Sequence, residues 1–181
     1  GLPGEFWTVD FAYKPSGAET GTVLDSFFLW KGTYTDNNDR VQWQKYRTFE
    51  LKNLFKTPDD NEPYIPGNVN IAFSPDGKWG WISLFADQDN NDAEGEDNVI
   101  WDAQPWFWYT NDGGKTWSED PMILNLREMS GIVDSIKTQY LSEGGDTLLS
   151  TGIPMVLGDN DIIVDKNGNP HLLCRFANAS N

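Results

Sequence analysis

Short runs of apolar, β-branched and aromatic residues, separated by clusters of turn-forming residues, make up most of this chain. Runs of this kind predict β-strands bounded by turns. They predict single strands at residues 5–13, 23–31 and 41–51, and hairpins at residues 69–86, 104–124 and 161–176. The segments 36–39, 75–78 and 166–169 are predicted turns, and residues 56–66, which contain three prolines, are a predicted loop.

One segment departs from the strand pattern. Apolar residues recur at alternating spacings of three and four between residues 126 and 141, which is the spacing of a helix face. The stripe consists of Leu126, Met129, Val133, Ile136 and Tyr140. We therefore predict one helix inserted between β units, with the stripe as its packing face.

The predicted hairpins repeat. The ten residues from Phe73 to Ile82 align without gaps with those from Val164 to Leu173, and each segment has glycine at its fifth position. The segment from Tyr34 to Trp43 is a degenerate copy of Tyr109–Trp117 with one extra residue and no glycine in its turn. The repeat unit is an inner hairpin followed by an outer hairpin, and it recurs at roughly 75–90 residues.

Residues 110–117 read Thr-Asn-Asp-Gly-Gly-Lys-Thr-Trp. Asp-Gly favours a hairpin turn, and an aspartate carboxylate accepts hydrogen bonds from the backbone N–H groups that follow it. We predict that Thr116 and Trp117 open the next strand. The segment resembles the Asp-box of the sialidase or BNR repeat family, whose five fixed positions correspond to Thr110, Asp112, Gly114, Thr116 and Trp117.

The resemblance implies an all-β fold, a partial β-propeller of two to three blades with the one inserted helix. In that family the box joins the two outer strands of a blade and has a structural role. A closed propeller has about four to eight blades. We therefore expect residues 1–181 to be a single incomplete propeller domain, with the remaining blades of the parent chain as its partners.

Composition narrows the choice of partner. The net charge is −15, and aromatic residues make up 14% of the chain, including nine tryptophans. A surface this acidic disfavours nucleic-acid binding, because binding depends on cations that neutralise phosphates. No apolar run is long enough for a membrane span, so membrane insertion is not expected. The resemblance makes a secreted or cell-surface bacterial protein, exported for example by type IX secretion, the expected setting.

The single cysteine and single histidine lie close together in sequence. One cysteine excludes an internal disulfide. Cys174 is predicted to be a buried strand thiol, and His171 to be structural. Residues three positions apart on a strand face opposite sides, so the pair does not suit thiol catalysis.

An acidic loop follows the strand that is predicted to end at residue 86. It holds six carboxylates within residues 87–97, and Asp87, Asp89 and Asn91 have the alternating spacing of oxygen ligands to calcium. The EF-hand pattern fails, because Asp92 stands where glycine is needed. Two interpretations remain open, a calcium-ordered loop and a solvated acidic loop.

Sialidase chemistry is the enzymatic alternative. Enzymes of that family grip the substrate carboxylate with three arginines, the first in an Arg-Ile-Pro motif, whereas here Gly152 precedes Ile153-Pro154. The four arginines, Arg40, Arg47, Arg127 and Arg175, all lie outside such a motif. No catalytic residue can be transferred to this chain.

Tryptophan faces provide the remaining candidate chemistry, since an indole can stack on a sugar ring. The strand pairs Trp79/Trp81 and Trp106/Trp108 are expected in the core, which leaves Trp101 as the ligand-binding candidate. The expected function is a non-catalytic binding scaffold for a glycan or another protein. The alternatives are a fragment of a sialidase-like glycoside hydrolase and an export substrate of a bacterial secretion machinery.

Overall fold

The computed structural model describes residues 4–13, 23–35, 40–52, 68–87, 103–137 and 154–178. These residues form antiparallel sheets with little helix, so the all-β prediction is confirmed. The strands are β1 (Glu5–Tyr13), β2 (Val23–Thr35), β3 (Arg40–Glu50), β4 (Asn70–Phe73), β5 (Gly80–Asp87), β6 (Ala103–Thr110), β7 (Met122–Ile123), β8 (Pro154–Val164) and β9 (Pro170–Asn178). A 3-10 turn, Leu126–Glu128, precedes the helix α1 (Ser130–Lys137).

The strands form three sheets in chain order. The first sheet contains β1, β2 and β3, the second contains β4 to β7, and the third is the β8–β9 hairpin. In every sheet each strand pairs with its neighbour in sequence. The four-stranded sheet therefore spans the segment in which the sequence predicts one whole unit of two hairpins.

The second sheet lies between the other two, and both of its faces are covered. On one face, Trp108 contacts Phe27 and Phe49 of the first sheet, with ring centroids 5.1 and 5.8 Å apart. Phe27 and Phe49 stack at 4.7 Å. This larger core also contains the following buried side chains: Phe11, Leu29, Leu51, Ile82, Leu84, Ala86, Trp106 and Trp117. Trp106 and Trp108 thus lie in the core, as predicted.

The opposite face of the second sheet packs against the third sheet and α1. Phe85, Ala103 and Leu126 are buried there, and Leu172 and Phe176 of β9 pack against them. Because side chains alternate across a strand, β5 contributes Leu84 to one core and Phe85 to the other. Burial on both faces explains why β6 is an almost continuous apolar run.

The predicted helix is broken at Met129, which has an extended conformation with φ −89° and ψ 91°. The 3-10 turn before it is fixed by Gln104 Oε1, which accepts the Leu126 N–H at 2.7 Å. The break shifts the helical phase, so Ile132 packs on the core while Met129 of the predicted stripe is 40% exposed. A single uninterrupted helix was therefore a wrong prediction.

The second strand of the box hairpin is shorter than predicted. Thr116 and Trp117 belong to the loop, and β7 contains only two residues. The reason is that Asp112 accepts the Thr116 N–H at 3.0 Å and the Trp117 indole N–H donates to Gly114 O at 3.2 Å. These bonds hold both residues in the loop, away from the strand ladder.

The repeated turns match in conformation but differ in length. Gly77 N–H donates to Ser74 O, and Gly168 N–H donates to Asp165 O, so the fifth-position glycines are equivalent. Strand pairing resumes at Phe73–Gly80 in the first turn and at Val164–Pro170 in the second. The second turn is one residue shorter, so the gap-free alignment is wrong after the glycine.

Several predictions fall on residues outside the described ranges. They include the turn at 36–39, the loop at 56–66, the end of the predicted helix at 138–141, and the residues Asp89, Asn91 and Trp101. Asp87 is the last residue of β5.

Candidate functional site

The loop at 110–117 is closed by its own polar side chains. Thr110 Oγ1 donates to Asp112 Oδ1 at 2.8 Å and accepts the Gly114 N–H at 3.0 Å. Thr116 donates to Asp112 twice, from N–H to Oδ1 at 3.0 Å and from Oγ1 to Oδ2 at 2.6 Å. Gly113 and Gly114 have φ values of 78° and 91°, which only glycine adopts readily.

These bonds stabilise the charged form of the carboxylate. The Thr116 hydroxyl, the Thr116 N–H and the Thr110 hydroxyl together lower the pKa of Asp112 to about 2. The same acceptor role is filled in the β8–β9 turn by Asp165, whose pKa falls to about 2 through the Asn169 side-chain amide and N–H. Both aspartates are therefore turn-forming groups.

The box loop also joins the first two sheets. Arg47 Nη1 donates to Trp117 O at 2.9 Å, and Tyr46 Oη donates to Lys115 O at 3.1 Å. A side chain at Gly114 would lie 2.8 Å from the Trp7 ring. The loop packs against residues of the first sheet on each of these sides. Its geometry is therefore that of a structural connection between the first and second sheets.

A different surface has the properties of a binding site. The face of the first sheet that points away from the second sheet is rich in aromatic side chains. Phe6 and Trp43 oppose Gly32 from the two neighbouring strands, so all three lie on this face. Along β2 the same face carries Phe28, Trp30 and Tyr34. We call this set the aromatic face: Phe6, Phe28, Trp30, Tyr34 and Trp43.

Three of its members are strongly exposed. Phe6 is 46%, Tyr34 44% and Trp43 49% accessible to solvent. Phe6 and Trp43 are separated by two strand spacings, about 10 Å. An array of exposed rings on one sheet face presents a broad apolar surface to solvent.

Gly32 allows Trp43 to lie low on the sheet. A Cβ at Gly32 would lie 3.0 Å from Trp43 Cε3 and Cζ3 and 2.5 Å from Val41 Cγ1. Gly32 itself is buried beneath these side chains. The six-membered ring of the indole therefore lies close to Gly32, and about half of Trp43 remains accessible to solvent, at 49%.

Polar groups lie among the rings. Thr8 and Lys45 oppose Trp30, while Asp10 and Thr48 oppose Phe28. Lys45 Nζ lies 4.3 Å from the centroid of the Phe28 ring. The face thus combines apolar rings with hydroxyl, carboxylate and ammonium groups, which are the hydrogen-bonding partners that a polyhydroxylated ligand needs.

The titratable residues considered for catalysis do not converge. Arg47 lies between the first and second sheets, over the Phe49 ring at 4.5 Å, whereas Arg175 is exposed on β9. His171 is exposed and 3.7 Å from Asp165 Oδ2, and Cys174 points to the opposite face of β9. Cys174 is half-buried, less than predicted, and burial raises the pKa of its thiol.

The predicted ligand sites fall largely outside the described ranges. Of the calcium candidates Asp87, Asp89 and Asn91, only the first is described, and Trp101 is not. Among the described residues, no group of three or more His, Cys, Asp or Glu side chains is placed to bind a metal ion. None of the helices in that part of the chain has the length and apolarity that a membrane crossing requires.

The aromatic face was missed from the sequence because its members come from three strands. Its only signal was local: Phe28, Trp30 and Tyr34 share one face of β2, with Gly32 among them. The register that adds Phe6 and Trp43 is a tertiary property.

No protein-family model, curated protein or solved structure matches this chain significantly.

Proposed function

We propose that this protein is a non-catalytic, saccharide-binding scaffold of the β-propeller type. In this proposal the three sheets are successive blades of an open stack, in which the free face of the first sheet stays accessible to a ligand. The order of the stack, with each antiparallel sheet formed by consecutive strands, supports it. The hydrogen-bonded loop that joins β6 and β7 adds support, since it has the residues of an Asp-box.

The main support for the proposed binding function is the aromatic face, and Trp43 in particular. The C–H groups on one side of a pyranose ring form an apolar surface that stacks on an indole, while the ring hydroxyls need polar partners. About half of Trp43 is accessible to solvent, Thr8 and Lys45 oppose Trp30, and Thr48 opposes Phe28.

The net charge of the chain indicates whether the expected saccharide is charged or uncharged. The chain carries a net charge of −15, so its field repels anionic ligands. Among the described residues of the aromatic face, Lys45 is offset by Asp10, so these residues form no cationic cluster that could hold a carboxylate or sulfate. The expected ligand is therefore an uncharged glycan, which also disfavours the sialidase alternative.

The test is affinity electrophoresis, followed by calorimetry, against uncharged glucan, mannan, xylan and galactan. Trp43→Ala should weaken binding about tenfold or more, because it removes the stacking surface. Met122→Ala is a matched control, since Met122 is 50% exposed on β7, away from the aromatic face. Unchanged binding by Trp43→Ala, or binding of acidic glycans alone, would contradict the proposal.

Secretion to the cell surface and a calcium-ordered loop belong to the same proposal. The acidity of the chain supports both, because acidic carboxylate-rich loops suit a calcium-containing medium. Calorimetric titration with millimolar calcium tests the second point, and absence of heat would remove calcium from the proposal.

A further inference from the structure

The three most exposed rings of the aromatic face surround a glycine. Phe6 and Trp43 oppose Gly32 from the two neighbouring strands, and Tyr34 lies two residues further along β2. Phe6 is 46%, Tyr34 44% and Trp43 49% accessible to solvent. A pocket for a single sugar residue buries most of its ligand between side chains, whereas rings this exposed form an open surface. The exposed rings therefore suit a ligand that lies across the sheet.

One sugar residue does not cover all three rings. Neighbouring strands lie about 4.8 Å apart, so the Cα atoms of Phe6 and Trp43 are separated by about 10 Å. The Trp43 indole lies over Gly32, since its Cε3 and Cζ3 atoms are 3.0 Å from the place where a Cβ of Gly32 would be. A pyranose ring that covers this indole leaves Phe6 to another residue of the same saccharide chain.

Polar partners for the sugar hydroxyl groups lie further along the same face. Thr8 and Lys45 oppose Trp30, and the face continues along β2 to Phe28. The six steps from Tyr34 to Phe28 along the strand span about 20 Å. A ligand that contacts both the exposed rings and these polar groups is therefore several sugar residues long.

We propose that the aromatic face binds the interior of an extended, β-1,4-linked glucan or mannan chain, with Phe6 and Trp43 as separate stacking sites. This inference rests on the saccharide-binding function proposed above. In such a chain neighbouring residues are turned over relative to each other, so alternate residues present the same side to a surface. The length of two residues is comparable with the separation of Phe6 and Trp43. Two alternate residues can therefore stack on the two rings in one complex.

Calorimetric titration of the full chain with cello-oligosaccharides and manno-oligosaccharides, from the monosaccharide to the hexasaccharide, tests the inference. In at least one series we expect the affinity to rise at least about tenfold from the disaccharide to the hexasaccharide, because the longer ligand engages the second ring within the same complex. Malto-oligosaccharides, whose α-linked chain coils, should show no such rise. Reduction of the terminal residue of the hexasaccharide to the alditol should leave the affinity unchanged, because the interior of the chain is bound.

Phe6→Ala should abolish the dependence of affinity on ligand length. We expect this variant to bind the disaccharide as the wild type does, through Trp43, and to bind the hexasaccharide no more tightly than the disaccharide. Phe6→Tyr keeps an aromatic ring and should keep the rise. Met122→Ala, at an exposed site on β7, should keep it too. Equal urea unfolding of Phe6→Ala and the wild type would show that the variant is folded.

Several outcomes would overturn the inference. They are a hexasaccharide bound no more tightly than the monosaccharide in both β-linked series, a length dependence that survives Phe6→Ala, and its loss in Phe6→Tyr. Tighter binding of malto-oligosaccharides, or loss of affinity on reduction of the chain end, would do the same. In each of these cases loss of binding in Trp43→Ala would still support the saccharide-binding function, because that variant tests a single stacking contact. Binding of none of the saccharides would overturn both proposals.

Discussion

At the scale of single residues, aspartate carboxylates hold the turns together. Asp112 accepts from Thr110 and Thr116, and Asp165 Oδ1 accepts the N–H groups of Asn167 and Asn169 at 2.8 and 2.9 Å. In the β4–β5 turn the Ser74 hydroxyl and the Lys78 N–H donate to Asp76 and lower its pKa. These bonds are stronger to the ionised carboxylate, because protonation places a hydrogen on one oxygen and removes the charge.

This dependence predicts loss of stability in acid. The folded-state pKa values of Asp112 and Asp165 are about 2, below the ordinary value of 3.8. A depressed pKa contributes stability that is complete above about pH 4 and is lost as the pH falls toward about 2. Urea unfolding at several pH values should show a free energy of unfolding that falls through this window.

Asp112→Asn and Asp165→Asn provide the corresponding variants, since an amide cannot gain the charge. Each should be less stable than the wild type at pH 6 and should show a shallower fall in acid. Asp120→Asn, an exposed change that follows the box loop, is the control. Curves for the variants that run parallel to the wild-type curve would contradict the assignment of the acid dependence to these carboxylates.

At the scale of elements, the β4–β5 and β8–β9 turns share a conformation because the glycine in each turn has the same backbone conformation. Gly77 and Gly168 have φ values of 71° and 89° and donate to the first residue of their turns. The second turn is one residue shorter, which changes the residues that face inward on the strand that follows. The residues within a turn therefore determine its backbone conformation, whereas the pairing of the flanking strands determines how many residues it contains.

Two glycine substitutions, expected to change the stability in opposite directions, test how far the backbone conformation of a glycine determines its role. In Gly168→Ala the Cβ would meet Trp79 Cγ at 2.5 Å in a left-handed backbone, so we expect a loss of roughly 2 kcal/mol. Gly131 in α1 is exposed with nothing within 4 Å of an added Cβ, so Gly131→Ala should gain up to about 1 kcal/mol. Thermal unfolding of both variants measures the difference, and equal effects would refute it.

At the scale of the whole molecule, a few polar contacts fix how the sheets sit on one another. Asn160, only 8% exposed, accepts from Asn70 Nδ2 at 2.7 Å and donates to Asn68 O at 3.1 Å. It also lies 3.4 Å from the Ser83 hydroxyl. These contacts join the second and third sheets, as Arg47 joins the first and second.

Replacement of Asn160 should loosen the third sheet. Asn160→Ala removes the buried side-chain amide that bonds to Asn70 Nδ2, Asn68 O and the Ser83 hydroxyl, and we expect a loss of about 2 kcal/mol. Asn167→Ala, at the exposed β8–β9 turn, should have a much smaller effect. Hydrogen exchange of β8 and β9 amides would locate the change, and protection equal to the wild type would contradict a role of the Asn160 side chain in holding the hairpin.

Much of the fold was predictable from sequence because its signals are local. The bounds of β1 agree with the prediction, and the ends of β3, β4 and β5 agree within one residue. The Asp-Gly turns were recognisable since turn conformation depends on a few neighbouring residues. The helix and the box hairpin were less predictable, because Gln104 and Asp112 impose bonds that periodicity does not encode.

The sequence by itself determined the strands, the turns, the acidity of the surface and the repeat of the hairpins. Tertiary structure alone decided that Phe6, Tyr34 and Trp43 are exposed together on one sheet face. Trp108 is buried because two sheets meet over it, and Trp43 is open because it lies over Gly32 on the far side of the first sheet. Both are strand tryptophans, and the difference between them depends on cross-strand register and sheet stacking, which join residues distant in sequence.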